Sequence, residues 1–427
     1  MSDKSMHIHV HHVTRVEGHG NIDVVVDNDV IKKIEWQVPE APRFFEAMVV
    51  GRDYMDLAPI TSRICGICSI GHTFASLKAT EAAMGITLSE QDTRLREILL
   101  HGETLQSHVL HAGYLAVPDY FRVNSVVPLV GTHKEAVLLI IKLHRLANEL
   151  CDIIGGRTTH PIRTTVGGWT MLPTEKELVT LKKRYEEAVE DLKAVAGVVL
   201  SVAGKIPNFT RETEYISLTS PSEYAFYDGM IKSSDVKAPI PVSNYRTVVN
   251  EYVNPQSTAK WTKFNRESYA ASALARYNNN YAQLSPLSKT VASMFGLGAA
   301  ACHNPYMNTV AQVVESVYAV ERTIANIDWI LDKGLKYVKP DIKVKAGKGA
   351  SAVEVPRGIL FHEYEYDKNG KCLMANCVIP TNQNHGNIQK DFEKLVPEFK
   401  HVGKEELQFM LEMLVRAYDP CISCSTH

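Results

Sequence analysis

Arg63-Ile64-Cys65-Gly66-Ile67-Cys68-Ser69-Ile70-Gly71-His72 sets two thiols one tight turn apart. Asp419-Pro420-Cys421-Ile422-Ser423-Cys424-Ser425-Thr426-His427 repeats the device at the other end of the sequence. Nearly the whole chain separates the two pairs, whereas the pairs of a zinc ribbon are usually roughly 15–20 residues apart. No Gly/Ser-rich or Pro-rich linker, like-charge block or internal repeat lies between them. The ends are therefore expected to meet in one interwoven unit spanning residues 1–427.

Working outward from the cysteines, four regions emerge: 1–60 β-rich, 61–205 a helical core, 206–284 irregular, and 285–427 mixed helix and strand ending in the second cysteine pair. His7-Ile8-His9-Val10-His11 alternates as a strand does, and Asn21–Val26 and Val30–Ile34 flank an Asp27-Asn28-Asp29 turn. His7, His9 and His11 share one strand face, read as solvated rather than as a metal cluster. Helical periodicity marks Thr73–Met84, Thr93–Ala116, Lys134–Ile154, Thr174–Val202, Asn308–Asp332 and Lys404–Ala417, several of them stopped by glycine. The 206–284 stretch, rich in Tyr, Asn, Ser and Thr, reads as loops with short strands, and 352–380 reads as strand again. The fold class is α+β and helix-dominated, with a central bundle of long helices and small antiparallel sheets.

Composition excludes several functions. Lys and Arg total 46 against 48 Asp and Glu, for a net charge of −2, so the basic excess that nucleic-acid binding needs is absent. No apolar run approaches the ~20 residues of a membrane span. Met1-Ser2-Asp3-Lys4 does not open a leader peptide, so a cytoplasmic location is expected. Eight cysteines in 427 residues are far from a disulfide scaffold. The unpatterned Cys151, Cys302, Cys372 and Cys377 read as small buried side chains.

Four converging thiolates are soft ligands for zinc, nickel, copper(I) or iron–sulfur clusters. Spacing alone leaves a structural zinc, a redox metal centre and unmetallated thiols all open. His72 and His427, close after each pair, are candidate ligands or hydrogen-bond donors. Glu17, in Arg15-Val16-Glu17-Gly18-His19, is a loop carboxylate, and Arg357 follows Glu354-Val355-Pro356. Four thiolates carry four negative charges, so any further anion at the metal needs a compensating donor.

Together these ordered motifs resemble the large, catalytic subunit of nickel–iron hydrogenases across essentially the whole chain. Gly155-Gly156-Arg157-Thr158-Thr159-His160-Pro161 and Gly167-Gly168 add to the match. The resemblance implies that family's large-subunit fold and reversible cleavage of molecular hydrogen. It implies nickel held by Cys65, Cys68, Cys421 and Cys424, with Cys68 and Cys424 bridging to an iron that carries carbon monoxide and cyanide. His72 would lie near one cyanide; Arg357 and Pro356 would lie over the open metal face, supported by Asp419. A structural magnesium would sit on Glu46 and His427, with the Cys377 carbonyl as a third ligand. Cys421 would take a proton and Glu17 would relay it, since a carboxyl group both accepts and donates. Ser107 stands where many relatives carry Asp, so Arg357 would lack one carboxylate partner.

No further cysteine pattern could hold an electron-transfer cluster, so an iron–sulfur small subunit is expected, with flavin and iron–sulfur subunits beyond it. The acceptor would be a nicotinamide, a deazaflavin or ferredoxin; lacking a Gly-rich dinucleotide fingerprint, this chain would leave nucleotide and flavin to those partners. A chain stopping at His427 resembles the processed form of such subunits. Two rivals differ in kind. A quinone-reductase-type subunit would lack the four cysteines, and a structural-zinc scaffold would leave Glu17, Arg357 and His427 unexplained.

Overall fold

Alternation builds the first layer. Ile8 and Val10 on β1 (Met6–Val10), Ile22, Val24 and Val26 on β2 (Asn21–Asp27) and Trp36 on β3 (Val30–Gln37) are all buried. The three strands form one antiparallel sheet in the order β1-β2-β3. Asn28 and Asp29 turn the β2–β3 hairpin with φ of 47° and 65°, the left-handed pair that its strand twist favours. The structure, a computed structural model, describes residues 5–427; Met1–Lys4, and the absence of a leader read there, lie outside the described residues.

Two short helices, α1 (Phe45–Val49) and α2 (Tyr54–Thr61), lead to the first cysteine pair, and α3 (Ser69–Met84) starts directly after Cys68. A bundle of long helices follows. α4 (Glu90–Leu110) begins earlier than its apolar periodicity indicates, because Ser89 caps it by accepting the Asp92 N–H at 3.1 Å. It ends in a wider π turn over His111–Ala116. α5 (Lys134–Gly155) buries Val137, Ile140, Leu143, Ala147, Leu150 and Ile154, one stripe at helical spacing. α6 (Glu175–Val202) opens on a capping box formed by Thr174 and Glu177.

Strand and helix mix in the 206–284 region. β4 (Glu214–Thr219) pairs with β5 (Met230–Ser233), and β6 (Asn250–Asn254) with β7 (Ser257–Lys263). Tyr269–Ala270 adds a parallel pairing to β4, so the sheets are not all antiparallel. The helix α7 (Ala273–Asn280) corrects the loop reading; its Asn-rich end hides the periodicity.

α8 (Asn308–Lys333) packs on α4 and α6, and α5 closes the bundle against both. Fully burying a Leu or Val contributes ~1.5–3 kcal/mol, so Leu143→Ala in this core would cost about 2–5 kcal/mol. β8 (Gly347–Val355), β9 (Gly358–Tyr366) and β10 (Cys372–Val378) form an antiparallel sheet laid on α3. Gly349 lets strand and helix backbones touch: a Cβ there would lie 2.2 Å from the Ala83 nitrogen.

α9 (Pro380–Phe399) is not expected from the sequence, whereas α10 (Lys404–Ala417) is. A single helical turn, Ile422–Ser425, ends the fold. Among the described residues, no helix is long and apolar enough to cross a membrane.

Candidate metal centre

The four patterned cysteines meet. Cys65, Cys68, Cys421 and Cys424 are buried, and their sulfurs lie within 4.8 Å of one another. Cys65 Sγ is 3.6 Å from Cys421 Sγ. The sulfurs of Cys421 and Cys424 are in mutual contact, with Cα atoms 5.5 Å apart, and Cys65 and Cys68 complete the group. Ligation of a metal takes all four as thiolates.

Local structure aims each pair. Cys68 sits at the N-cap of α3, and Cys65 Sγ accepts the N–H groups of Cys68 at 2.9 Å and Ile67 at 3.3 Å. Burial alone would raise the Cys65 thiol, but the Cys68 thiol as donor and the Arg357 charge hold it below its ordinary range. Asp419, at φ 51°, bends the chain so that Cys421 turns inward, and Cys421 N–H donates to Thr381 Oγ1 at 3.1 Å. Arg43 bridges the segments behind both pairs through the carbonyls of Ile64, at 2.7 Å, and Ser423.

Glu17 lies beside the second pair. Its backbone forms a bridge with Cys421, and its carbonyl accepts the Ile422 N–H at 2.9 Å. Its half-buried carboxylate accepts from Ser423, by N–H at 3.1 Å and by the hydroxyl. Gly18 makes this approach possible: at φ 85°, a Cβ would stand 2.7 Å from the Ser423 nitrogen.

Arg357 is 3% exposed and clamps Asp419, with Nε donating to its carbonyl at 2.8 Å and Nη2 to Oδ1 at 2.9 Å. Burial works against its charge, but Asp419 and the Cys68 and Cys65 sulfurs outweigh it and hold the guanidinium firmly protonated. Its Nη1 is buried without a partner, as is Nε2 of His72. Two unpartnered buried nitrogens beside four thiols fit a soft metal carrying extra anionic or polar ligands, which need donors. His72 Nδ1 lies 3.2 Å from His362 Nε2; if that ring donates, His72 keeps its own proton on Nε2. Ser107 is buried on α4, and its Oγ makes no hydrogen bond.

The expected magnesium ligands also converge. His427 Nε2 lies 2.6 Å from the Cys377 carbonyl oxygen and 3.7 Å from Glu46 Oε1, and Cys377 N–H donates to that same oxygen at 2.7 Å. Burial pushes the Glu46 carboxyl up, but His427 and the Cys377 N–H bring it below the ordinary range.

Several supporting residues carry no mark in the sequence. Gln312 donates to Asp419 Oδ2 at 3.0 Å, and His111 holds Gln312 on one side and the Arg416 carbonyl, at 2.6 Å, on the other. Arg276 grips Glu315 and Glu354 and donates to the carbonyls of Val355, at 2.8 Å, and Pro356, at 3.0 Å, fixing the strand end that carries Arg357. Burial would raise Glu315, but Arg276 and His108 bring it down to about 2. Glu103 accepts the Ile70 and Gly71 N–H groups at 2.7 and 3.0 Å, yet burial and the nearby Cys65 push its carboxyl well up. The one available signal is the recurrence of Glu103 and His108 on α4 and His111 just after it, in a stretch buried almost throughout. His160 N–H, from the Gly155–Pro161 segment, ties that segment to Ser69 Oγ at 2.8 Å.

Comparison with known proteins agrees with this geometry. The family described as nickel-dependent hydrogenase matches residues 43–137 and 222–427. Sulfhydrogenase 1 subunit alpha of Pyrococcus furiosus is 31% identical over 100% of this chain and 99% of its own. Sulfhydrogenase 2 subunit alpha of the same organism is 31% identical over 99% of each chain. A solved NAD+-reducing NiFe-hydrogenase, captured in its hydrogen-reduced state, superposes with a TM-score of 0.89 over 100% of both chains at 23% identity. With the expected cysteines gathered in a fold of this kind, the chain belongs to the nickel-dependent hydrogenases, as a large subunit of the nickel–iron type.

Proposed function

We propose that Cys65, Cys68, Cys421 and Cys424 hold a nickel ion and its iron partner, and that the residues around Cys421 manage the proton released from hydrogen. When bound, the metal pair supplies Lewis acidity and redox capacity toward molecular hydrogen. The observation that carries this reading is the convergence of four buried sulfurs from opposite ends of the chain with Glu17 paired directly to the Cys421 segment. Cys421 Sγ takes the proton; Glu17 accepts it and hands it outward, held in place by Ser423. Arg357, fixed by Asp419, keeps a positive charge and a free N–H over the sulfurs and stabilises negative charge there. His72 Nε2 offers a second donor for cyanide or carbon monoxide on the iron. Glu46, His427 and the Cys377 carbonyl hold magnesium, a hard cation suited to the two oxygen donors.

Electrons leave to an iron–sulfur small subunit and onward through flavin and iron–sulfur subunits to a soluble acceptor: a nicotinamide, a deazaflavin or ferredoxin. Three things support this. The relatives are named as subunits of larger enzymes, and one structural neighbour reduces NAD+. Phe44, Met48, Val50 and Met55 on or beside α1 and α2 are 45–66% exposed, an apolar surface next to the first cysteine pair. Sparse cysteine usage is that of a protein of the cytoplasm.

Metal analysis of the anaerobically purified complex tests the reading. About one nickel and one iron per chain are expected once cluster iron in the partner is subtracted, with cyanide and carbon monoxide bands in the infrared. Zinc alone on the four sulfurs would overturn it.

A further inference from the structure

Among the described residues, one other group of ligand-type side chains converges: His7, His9 and Asp23, whose ligand atoms all lie within 4.8 Å of one another. We propose that these three residues bind a divalent transition ion of the zinc type, which ties the edge strand β1 to β2 at the base of the loop carrying Glu17.

The strand geometry makes the site. His7 and His9 are two residues apart on β1, so both rings project from the same face. Asp23 on β2 is the direct cross-strand partner of His9. A single oxygen, Asp23 Oδ1, lies 2.9 Å from His7 Nε2 and 3.6 Å from His9 Nδ1. The rings are 60% and 52% exposed, so an ion can enter and water can complete its coordination. Two imidazoles and a carboxylate are a common ligand set for zinc. His11, His12 and His19 lie near one another further along with their rings tilted, but they share no carboxylate, so they do not complete a site.

The surrounding charge is tolerable. Lys33 donates to the other oxygen, Asp23 Oδ2, at 2.6 Å, and its ammonium would repel a cation. Glu35, 3.0 Å from the same ammonium, offers it an alternative partner.

The consequence lies at the base of the loop. β1 is the outer strand of its sheet, and the next pair after His9–Asp23 is Val10–Ile22, the last before the chain leaves as the 11–20 loop. That loop, clasped by Val13 N–H on the Gly20 carbonyl at 3.0 Å, carries Glu17 to the cysteine cluster. An ion spanning the two strands would hold the start and end of this loop together.

Zinc titration of the untagged holoenzyme, with its resident metals already bound, tests this by calorimetry and hydrogen exchange. One further zinc per chain is expected, with slower exchange of the β1 amides when it binds. His7→Ala and His9→Ala, both at exposed positions that leave the fold intact, should each weaken uptake by roughly 10–100-fold or more. Lys33→Met should tighten it, and His12→Ala should leave it unchanged. No saturable uptake would overturn the proposal. So would uptake that survives the double His7→Ala/His9→Ala change, or zinc binding that leaves β1 exchange unaltered.

Discussion

The two cysteine pairs have the same spacing and opposite surroundings. Cys65 and Cys68 open a long helix; backbone N–H groups point at Cys65 sulfur, and the helix start behind them rests on the buried Glu103. Cys421 and Cys424 lie on or beside one helical turn next to side chains that move or hold charge, Glu17, Ser423, Thr381 and Asp419, while Arg357, clamped on Asp419, also acts on the first pair's sulfurs. The first pair is built to hold an ion still, because rigid backbone donors fix its sulfurs. In the proposed function the second pair serves proton traffic, because the Glu17 carboxylate meets the segment it sits on. The difference shows that ligand identity alone does not assign a thiolate its role; the groups behind it do.

Substitutions on the second pair should therefore cost the most turnover. On the proposed function, Cys421→Ser removes both a soft ligand and the proton acceptor. Hydrogen oxidation by the reconstituted complex should fall by at least about ten-thousand-fold. Glu17→Gln keeps size and hydrogen bonding but cannot carry a proton. Hydrogen–deuterium exchange should drop by roughly a hundred- to ten-thousand-fold while nickel and iron content stay as in the parent. Equal exchange rates in parent and Glu17→Gln enzymes would break the division between the pairs. Arg357→Lys retains charge but loses the two-point grip on Asp419. A loss of about a hundred- to a thousandfold in kcat is expected, with metal content preserved.

Much of this architecture is legible in the amino-acid sequence. Polar/apolar alternation locates β1–β3, and amphipathic spacing locates α5 and α6, because each buries one regular apolar stripe, whereas α8, buried all round over Asn308–Val320, shows by its long apolar-rich run. The cysteine pairs, Glu17 and Arg357 stand out as chemistry-bearing types in ordered motifs. α9 is invisible there for a physical reason. Its first turns bury polar side chains, Asn382, Gln383, Asn384, His385, Asn387, Gln389 and Asp391, so an apolar period shows only in its second half, at Ile388, Phe392, Leu395 and Val396. These side chains bond backbone and side-chain groups of distant segments: Asn384 accepts the Ala271 N–H at 2.8 Å, and Gln389 accepts the Trp36 N–H at 2.8 Å. Arg276 and Gln312 are hidden likewise, since their meaning comes from partners far away along the chain.

Buried imidazoles stand behind both pairs and give a pH prediction. His362 touches His72 on the first side, and His385 bonds Ser425 on the second, at 2.9 Å. Burial lowers both from 6.5 to about 3, and His101 on α4 likewise. Each is neutral in the fold and binds a proton only after unfolding. Their contribution is complete above pH 6.5 and is lost as pH falls toward about 3. The three together should remove about 4 kcal/mol of stability per pH unit across that window. Urea midpoints measured from pH 7 to pH 5 check this; a flat profile would mean that these rings are wetter than the fold shows.

The smallest effect on turnover should come from the carboxyl behind the first pair. Glu103 accepts two backbone N–H groups at the start of α3, which favours its charged form, while burial and Cys65 disfavour it. The second influence dominates and pushes the carboxyl up, and with one oxygen on the Ile70 N–H and the other on the Gly71 N–H the group anchors the start of α3. Glu103→Gln replaces one acceptor by a donor facing a backbone N–H, which costs about 1–3 kcal/mol of stability. It removes no proton route, so hydrogen–deuterium exchange should stay within about twofold of the parent, against the hundredfold or greater loss for Glu17→Gln. Comparable losses in the two variants would show that protons also leave past the first pair, and the functional division between the pairs would fall.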